Sequence, residues 1–237
     1  MTYIIIPTYN HLEDALKPCV ESILKYTTLS ENTRLLIVAN GCTDDTQCYL
    51  AQVKERTRFL EDIWYEKPLG YTASCNRGFE YALDRNAEYV VLLNNDTVVL
   101  PSSLDKWILA LLIPMFKDPK VSITGTHPQY SRITKREFLL TYCVGMRMSV
   151  MKEIGTFDEL FSPGGNEDTD YCYRAEQAGY KLGVVERPKY DESSKTMVGD
   201  YPLYHRASTS LAEIPGWDNI FKRSEILLAM KHGLKHE

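Results

Sequence analysis

Three short stretches of the sequence carry side chains able to do chemistry. In Asn94-Asn95-Asp96-Thr97, Asp96 stands where the apolar run 89–93 gives way to polar residues. A carboxylate at the surfacing end of a buried strand can hold Mg²⁺ or Mn²⁺ against a diphosphate. It can equally form a turn or cap a helix, with Asn94 and Asn95 as turn residues. Gly164-Gly165-Asn166-Glu167-Asp168-Thr169-Asp170 brings three acidic residues into four positions at the start of a helical pattern. Acids are ordinary at a helix entrance, where the dipole favours them. The alternative is a general base: Asp168, aimed by the preceding glycines and ionised near neutral pH, could accept the proton of a hydroxyl. In Tyr204-His205-Arg206-Ala207-Ser208, His205 is either a surface histidine or an imidazole ligand for a borderline metal such as Mn²⁺, with Arg206 beside it to offset phosphate charge. No other histidine has carboxylates at metal-site spacing, which argues against a closed zinc site.

The elements that must position these residues are legible as an alternation. Residues 3–6 are β-branched and aromatic, and Pro7-Thr8-Tyr9-Asn10 turns the chain into Leu12, Leu16, Val20, Ile23 and Leu24, spaced as one helical face. A second apolar run, 35–39, closes in Asn40-Gly41-Cys42-Thr43-Asp44-Asp45-Thr46 before a helix through Tyr49, Val53 and Arg56. Residues 63–65 predict a third strand, 70–86 a loop entering a helix, and 89–93 a strand buried on both faces. Such an order implies an α/β, Rossmann-like fold: a mostly parallel central sheet flanked by helices, with ligands at the strands' carboxyl ends.

Beyond Pro101 the pattern is less regular. It predicts a helix over 104–112, a strand over 121–124, an extended segment over 142–150, a turn or short helix over 151–154 and a helix over 168–178. Val184 and Val185 suggest a last short strand, 191–200 a polar mobile loop, and 220–230 a helix with an apolar face. No boundary or repeat divides the chain, which reads as a single domain over 1–237 whose halves, 1–100 and 101–237, differ in regularity.

The chain has 237 residues, with 27 Lys and Arg against 32 Asp and Glu for a formal charge of −5. That length suits a single core. The absence of a basic block argues against a nucleic-acid partner, since such affinity needs many phosphate neutralisations, but leaves a single nucleotide open. Six cysteines without a CxxC read as reduced thiols of a cytoplasmic protein. The opening residues 1–7 lack a basic leader and read as a strand, not a signal peptide. The most apolar later run, 107–116, contains Pro114 and falls well short of the roughly 20 residues of a membrane span.

Familiar fingerprints are missing. Pro7-Thr8-Tyr9-Asn10 stands where a GxGxxG loop would follow the first strand, and there is no P-loop or GxSxG elbow. What the sequence does resemble, in seven ordered blocks over about 1–210, is a family 2 glycosyltransferase of the GT-A fold. The blocks are Ile4-Ile5-Ile6-Pro7-Thr8-Tyr9-Asn10, the 40–46 segment, Leu69-Gly70-Tyr71-Thr72-Ala73-Ser74-Cys75-Asn76-Arg77-Gly78, and Val91-Leu92-Leu93-Asn94-Asn95-Asp96-Thr97. They continue with Gly145-Met146 and Val150, then Ile154-Gly155-Thr156-Phe157-Asp158-Glu159-Leu160-Phe161, and end in Glu167-Asp168-Thr169-Asp170-Tyr171-Cys172-Tyr173-Arg174 with Ala178-Gly179-Tyr180.

That resemblance implies an inverting transfer of sugar from a nucleoside diphosphate sugar to a hydroxyl. Pro7, Tyr9, Asn10 and Asn40 would line the base and ribose pocket, with Gly70, Asn76 and Asn95 also near the nucleotide. Asp96 would bind Mn²⁺ or Mg²⁺, Asp168 would be the base, and His205 would meet the metal or the diphosphate. The chain departs from the family pattern in three places: Ala39 replaces the usual strand-ending Asp, Asn94-Asn95-Asp96 keeps only the last carboxylate of a DxD, and Asp45 stands where Gly is common.

The Asn94-Asn95-Asp96-Thr97 form is similar to deoxythymidine diphosphate rhamnose enzymes and to several using uridine diphosphate sugars. The implied acceptor is a glycan or lipid-linked saccharide, its site shaped by 125–165 and 191–205, in surface polysaccharide synthesis at the inner face of a membrane. Ile220, Phe221, Leu227, Leu228, Met230 and Leu234 read as packing onto the core, with membrane contact or a second copy of the chain as alternatives. Two other functions stay open: a non-catalytic nucleotide-sugar binder, disfavoured by retention of Asp96, Glu167, Asp168 and His205 together, and a nucleotidyltransferase, disfavoured by the lack of an Arg/Lys-rich phosphate loop.

Overall fold

Strands β1 (Thr2–Thr8), β2 (Thr33–Asn40), β3 (Leu60–Tyr65) and β4 (Tyr89–Leu93) form the parallel centre of the computed structural model, which describes residues 1–187, 189–191, 196–206 and 214–235. Their alternating side chains explain the three layers. Ile4, Ile6, Leu35, Ile37, Val91 and Leu93 point into one cluster with residues of α1 (Lys17–Tyr26) and α2 (Thr46–Arg56). Ile5, Leu36, Val38, Val90 and Leu92 point into the other, against Phe79 and Ala82 of α3 (Tyr71–Asp84). A run that is apolar at every position is what a strand needs when both faces are covered.

The second half extends the same sheet. After β5 (Thr97–Val99) and α4 (Lys106–Lys117) come β6 (Val121–Gly125), the hairpin β7 (Pro128–Ser131) and β8 (Arg136–Leu139), then β9 (Cys143–Arg147). Helices α5 (Met148–Ile154) and α6 (Glu167–Gln177) precede β10 (Lys181–Val184). The seven-stranded order is β10-β6-β9-β4-β1-β2-β3, and β9 runs antiparallel to both β4 and β6. The sheet is mostly parallel, as expected, with this one reversal.

Several sequence expectations need correction. The extended segment expected over 142–150 ends at Arg147, because Met148, Val150 and Met151 turn their apolar side chains into the core as the first turns of α5. The helix expected over 104–112 is shifted to 106–117 and accommodates Pro114 near its end. Residues 128–139 form a hairpin. At the expected mobile loop over 191–200, Lys189–Asp191 (β11), which ends at its start, pairs antiparallel with Thr196–Val198 (β12), and 192–195 lie outside the described residues.

Strand β13 (Leu203–His205) pairs with β5, and α7 (Trp217–His232) packs Ser224, Leu228 and Ala229 inward while Met230 stays 74% exposed. The C-terminal helix therefore docks on the body through part of its apolar set. All six thiols are free. Among the described residues, no helix is long and apolar enough to cross a membrane.

Candidate active site

The loops at the carboxyl ends of β1 to β4 are bound to one another. Asn10 adopts a left-handed conformation, φ 51°, which Asn tolerates better than most residues, and its Oδ1 accepts from Thr43 N at 2.7 Å. Asn10 N donates to Cys42 Sγ, and that thiol donates to Thr8 O. Pro7 lies beyond the last β1–β4 pair, Ile5↔Leu92, so its missing N–H takes nothing from that ladder. Tyr9 is 40% exposed at the mouth of these loops, and Asn40 is buried with its Oδ1 accepting from Leu69 N. Asp44 accepts from Leu12 N and from Thr46 N and Oγ1, fixing the starts of two helical segments at once.

Asp96 sits in a turn held from three sides. Asn94 N donates to Tyr142 O at 2.8 Å, Thr97 Oγ1 donates to Asn94 O at 2.7 Å, and Asn95 Nδ2 donates to Thr8 Oγ1 at 3.0 Å. The β5–β13 pair sets His205 opposite Thr97, and Arg206 N donates to Asp96 O. The result is that His205 Nε2 lies 3.2 Å from Asp96 Oδ1. Asp96 is only 6% exposed, and among the described residues His205 Nε2 is buried without a hydrogen bond. The His205 ring stacks on Tyr142 with centroids 4.2 Å apart and planes 3° from parallel.

A buried imidazole nitrogen that takes no hydrogen bond among the described residues and lies 3.2 Å from a carboxylate oxygen fits a divalent cation of the Mn²⁺ or Mg²⁺ kind. Among the described residues no third His, Cys, Asp or Glu joins them. That agrees with the truncated DxD: such ions are commonly held by one or two protein groups, with phosphate and water supplying the rest.

The segment leading to Asp168 is seated against the start of α3. Tyr71 N donates to Pro163 O at 2.7 Å, and Tyr71 OH donates to Thr141 O at 3.2 Å, next to the Tyr142 that holds the Asp96 turn. Gly70 permits this seat: its φ is 88°, and a Cβ there would lie 2.8 Å from Pro163 Cα. The chain then passes Asn166, whose Nδ2 donates to Ser224 Oγ of α7 at 2.8 Å, and enters α6.

The three acids of that entrance have different duties. Asp170 is fully buried, with Oδ2 accepting from Arg174 Nε at 2.8 Å and Oδ1 facing Lys231 Nζ at 2.7 Å and His232 Nε2 at 2.8 Å, so it fastens α7 to α6. Glu167 Oε2 accepts from Gly165 N and stiffens the turn; burial, then the neighbouring Asp168 charge, raises its pKa. Asp168, 9% exposed, accepts through Oδ1 from Thr169 N at 2.7 Å. Among the described residues nothing donates to its Oδ2. Burial pushes the Asp168 carboxyl up to about 6, in spite of the opposing bonds from Thr169, which is the range a base working near neutrality requires.

Asn76, also expected near the nucleotide, is bonded through both ends of its amide. Its Nδ2 donates to Phe157 O at 2.9 Å and to Glu159 Oε1 at 3.1 Å, while Oδ1 accepts from Phe157 N at 3.1 Å. These bonds make it a clip between α3 and the segment before α6. Tyr71 stands in a recognised block but its role does not show there, and Tyr142 carries no local signal, because each acts through a partner distant in the chain.

The sequence model described as "Glycosyl transferase family 2" matches residues 3–160. Among solved structures, GalNAc-T7 with UDP, GalNAc and Mn²⁺ is similar at a TM-score of 0.64 and 13% identity, over 78% of this chain and 42% of that one. The mannosyltransferase PcManGT from Pyrobaculum calidifontis, in complex with GDP-Man and Mn²⁺, gives 0.60 and 16%, over 77% and 54%. S. aureus TarS gives 0.58 and 16%, over 78% and 35%. The chain thus spans from about a third to about half of these structures, and likeness at such identities speaks for the fold. No curated protein sequence matches it.

Proposed function

The chain belongs to glycosyl transferase family 2, and on that premise we propose that it carries out a metal-assisted, inverting transfer of sugar from a nucleoside diphosphate sugar to an acceptor hydroxyl. The observation that carries this reading is the buried Asp96–His205 pair at 3.2 Å, set among the loops that end β1 to β4. Two of the similar structures contain a nucleotide or nucleotide sugar together with Mn²⁺, which supports the assignment of a cation to that pair.

Asp96 and His205 would hold the ion. Bound there, Mn²⁺ or Mg²⁺ would offset the negative charge that builds on the departing β-phosphate. Asp168 Oδ2 takes the proton of the acceptor hydroxyl. The acceptor oxygen forms the new bond to the anomeric carbon, while the bond from that carbon to the diphosphate oxygen breaks and its electron pair leaves with the nucleoside diphosphate. A single displacement with one base and no protein nucleophile inverts the anomeric centre, as face-to-face placement does in inverting glycosidases. Pro7, Tyr9, Asn10 and Asn40 line the space for the base and ribose, with Gly70, Asn76 and Asn95 near the nucleotide. The donor is a uridine or deoxythymidine diphosphate sugar and the acceptor a glycan or lipid-linked saccharide.

A calorimetric and thermal-shift panel of uridine, deoxythymidine and guanosine diphosphate sugars, each with Mn²⁺ and Mg²⁺, tests the reading. A ligand bound by the native state raises its apparent stability by mass action. One nucleotide class should raise the Tm only with metal present, and the shift should vanish in Asp96→Ala. No shift with any donor, or an equal shift without metal, would overturn it.

A further inference from the structure

Tyr142 bears on both members of the candidate metal pair by different parts of the residue, on His205 directly and on Asp96 through its turn. Its backbone carbonyl accepts from Asn94 N at 2.8 Å, anchoring the turn that carries Asp96. Its ring lies flat on the His205 imidazole, centroids 4.2 Å apart at 3°. The ring is itself fixed, since Tyr142 OH and Thr126 Oγ1 are 3.0 Å apart and His127 meets the ring edge-on at 6.0 Å.

A metal-binding histidine is usually oriented by a hydrogen bond to its second ring nitrogen. Among the described residues His205 has no such bond; its ring contacts are the Tyr142 stack and the approach to Asp96. A stacked ring leaves imidazole free to slide but not to tilt, and tilt is what would turn Nε2 away from Asp96 Oδ1. We propose that Tyr142 is a positioning residue for the cation site, setting the His205 ring plane by stacking in place of the missing hydrogen bond. The inference rests on the cation assignment to Asp96 and His205 and adds a residue that contacts neither metal nor substrate.

The test uses the full chain and two substitutions, Tyr142→Phe, which keeps the stack and removes the hydroxyl, and Tyr142→Leu, which removes the stack. Mn²⁺ affinity is read by electron paramagnetic resonance in the presence of UDP, dTDP or GDP, and folding by the metal-free Tm. Tyr142→Leu should weaken Mn²⁺ binding by about tenfold or more, the usual scale for losing an orienting partner, whereas Tyr142→Phe should stay within about threefold of the parent. Combined with His205→Ala, Tyr142→Leu should cause little further loss, since it acts through that ring. In metal-free protein, the His205 ring protons should carry an upfield ring-current shift that survives in Tyr142→Phe. A folded Tyr142→Leu with parental Mn²⁺ affinity, or losses that add in the double variant, would overturn the positioning role. If the parent chain binds no Mn²⁺ with any nucleotide, the proposed function fails first and the role falls with it.

Discussion

His205 Nε2 stands 3.2 Å from Asp96 Oδ1, although the two residues come from opposite halves of the chain. Pairing of Thr97 with His205 in the small β5–β13 ladder produces this approach, and Arg206 N bonded to Asp96 O locks its register. A one-residue slip would turn the imidazole to the other face of the ribbon.

The pH dependence of turnover follows from Asp168. Burial pushes its carboxyl up to about 6, and only the ionised form can take a proton. The rate should climb as pH rises through that value and then level, standing about tenfold below the plateau one unit below it. A pH–rate profile under subsaturating donor and acceptor checks this; an acid limb at the ordinary carboxylate value would contradict it.

Stability should move the other way. The folded state holds the Glu167 and Asp168 protons to higher pH than the unfolded chain does, so stability is full below the unfolded values, 4.5 and 3.8, and declines as pH rises through the raised folded values. Glu167→Gln keeps an acceptor for Gly165 N and removes one of these ionisations. At pH 8 it should be more stable than the parent by on the order of 1 kcal/mol, with little difference at pH 4, as read by urea unfolding.

Asp170 holds α7 in place. Replacement by Ala leaves Arg174, Lys231 and His232 gathered around an empty position and should lower stability by about 3 kcal/mol. Hydrogen exchange should accelerate across Trp217–His232 before the central strands respond. Uniform exchange over the whole molecule would contradict the latch.

Gly70→Ala should cost about 1 to 3 kcal/mol, because a side chain at φ 88° is strained and its Cβ would press on Pro163 Cα. The displaced loop leads to Asp168, so turnover should fall further than Tm alone accounts for. Parental activity in this variant would remove Gly70 from the account.

Legibility in the sequence followed the range of the interactions. The strands Thr2–Thr8, Thr33–Asn40 and Tyr89–Leu93 announce themselves because burial on both faces demands apolar residues at every position. The hairpin 128–139 does not, since Gln129, Tyr130, Arg136 and Glu137 are exposed and carry no buried alternation. The reversal of β9 is invisible because burial pattern says nothing about strand direction. Asp96, Asp168 and His205 were nameable from family motifs, but the approach of His205 to Asp96 depends on the β5–β13 pairing. Tyr142 acts through stacking and a backbone carbonyl, neither of which leaves a spacing to read. Asn76 stands in a family motif, yet its hydrogen bonds to Phe157 and Glu159 depend on a segment 81 to 83 residues away that the motif does not announce.

The division of labour between Asp96 and Asp168 is tested most directly by measuring donor affinity and turnover together, with Mn²⁺, in the parent chain, Asp96→Ala and Asp168→Asn. Asp168→Asn should bind the nucleotide sugar with parental affinity and lose about 10²- to 10⁴-fold in turnover, while Asp96→Ala should lose the metal-dependent part of binding itself. Parental turnover in Asp168→Asn, or Mn²⁺-dependent donor binding undiminished in Asp96→Ala, would contradict the account.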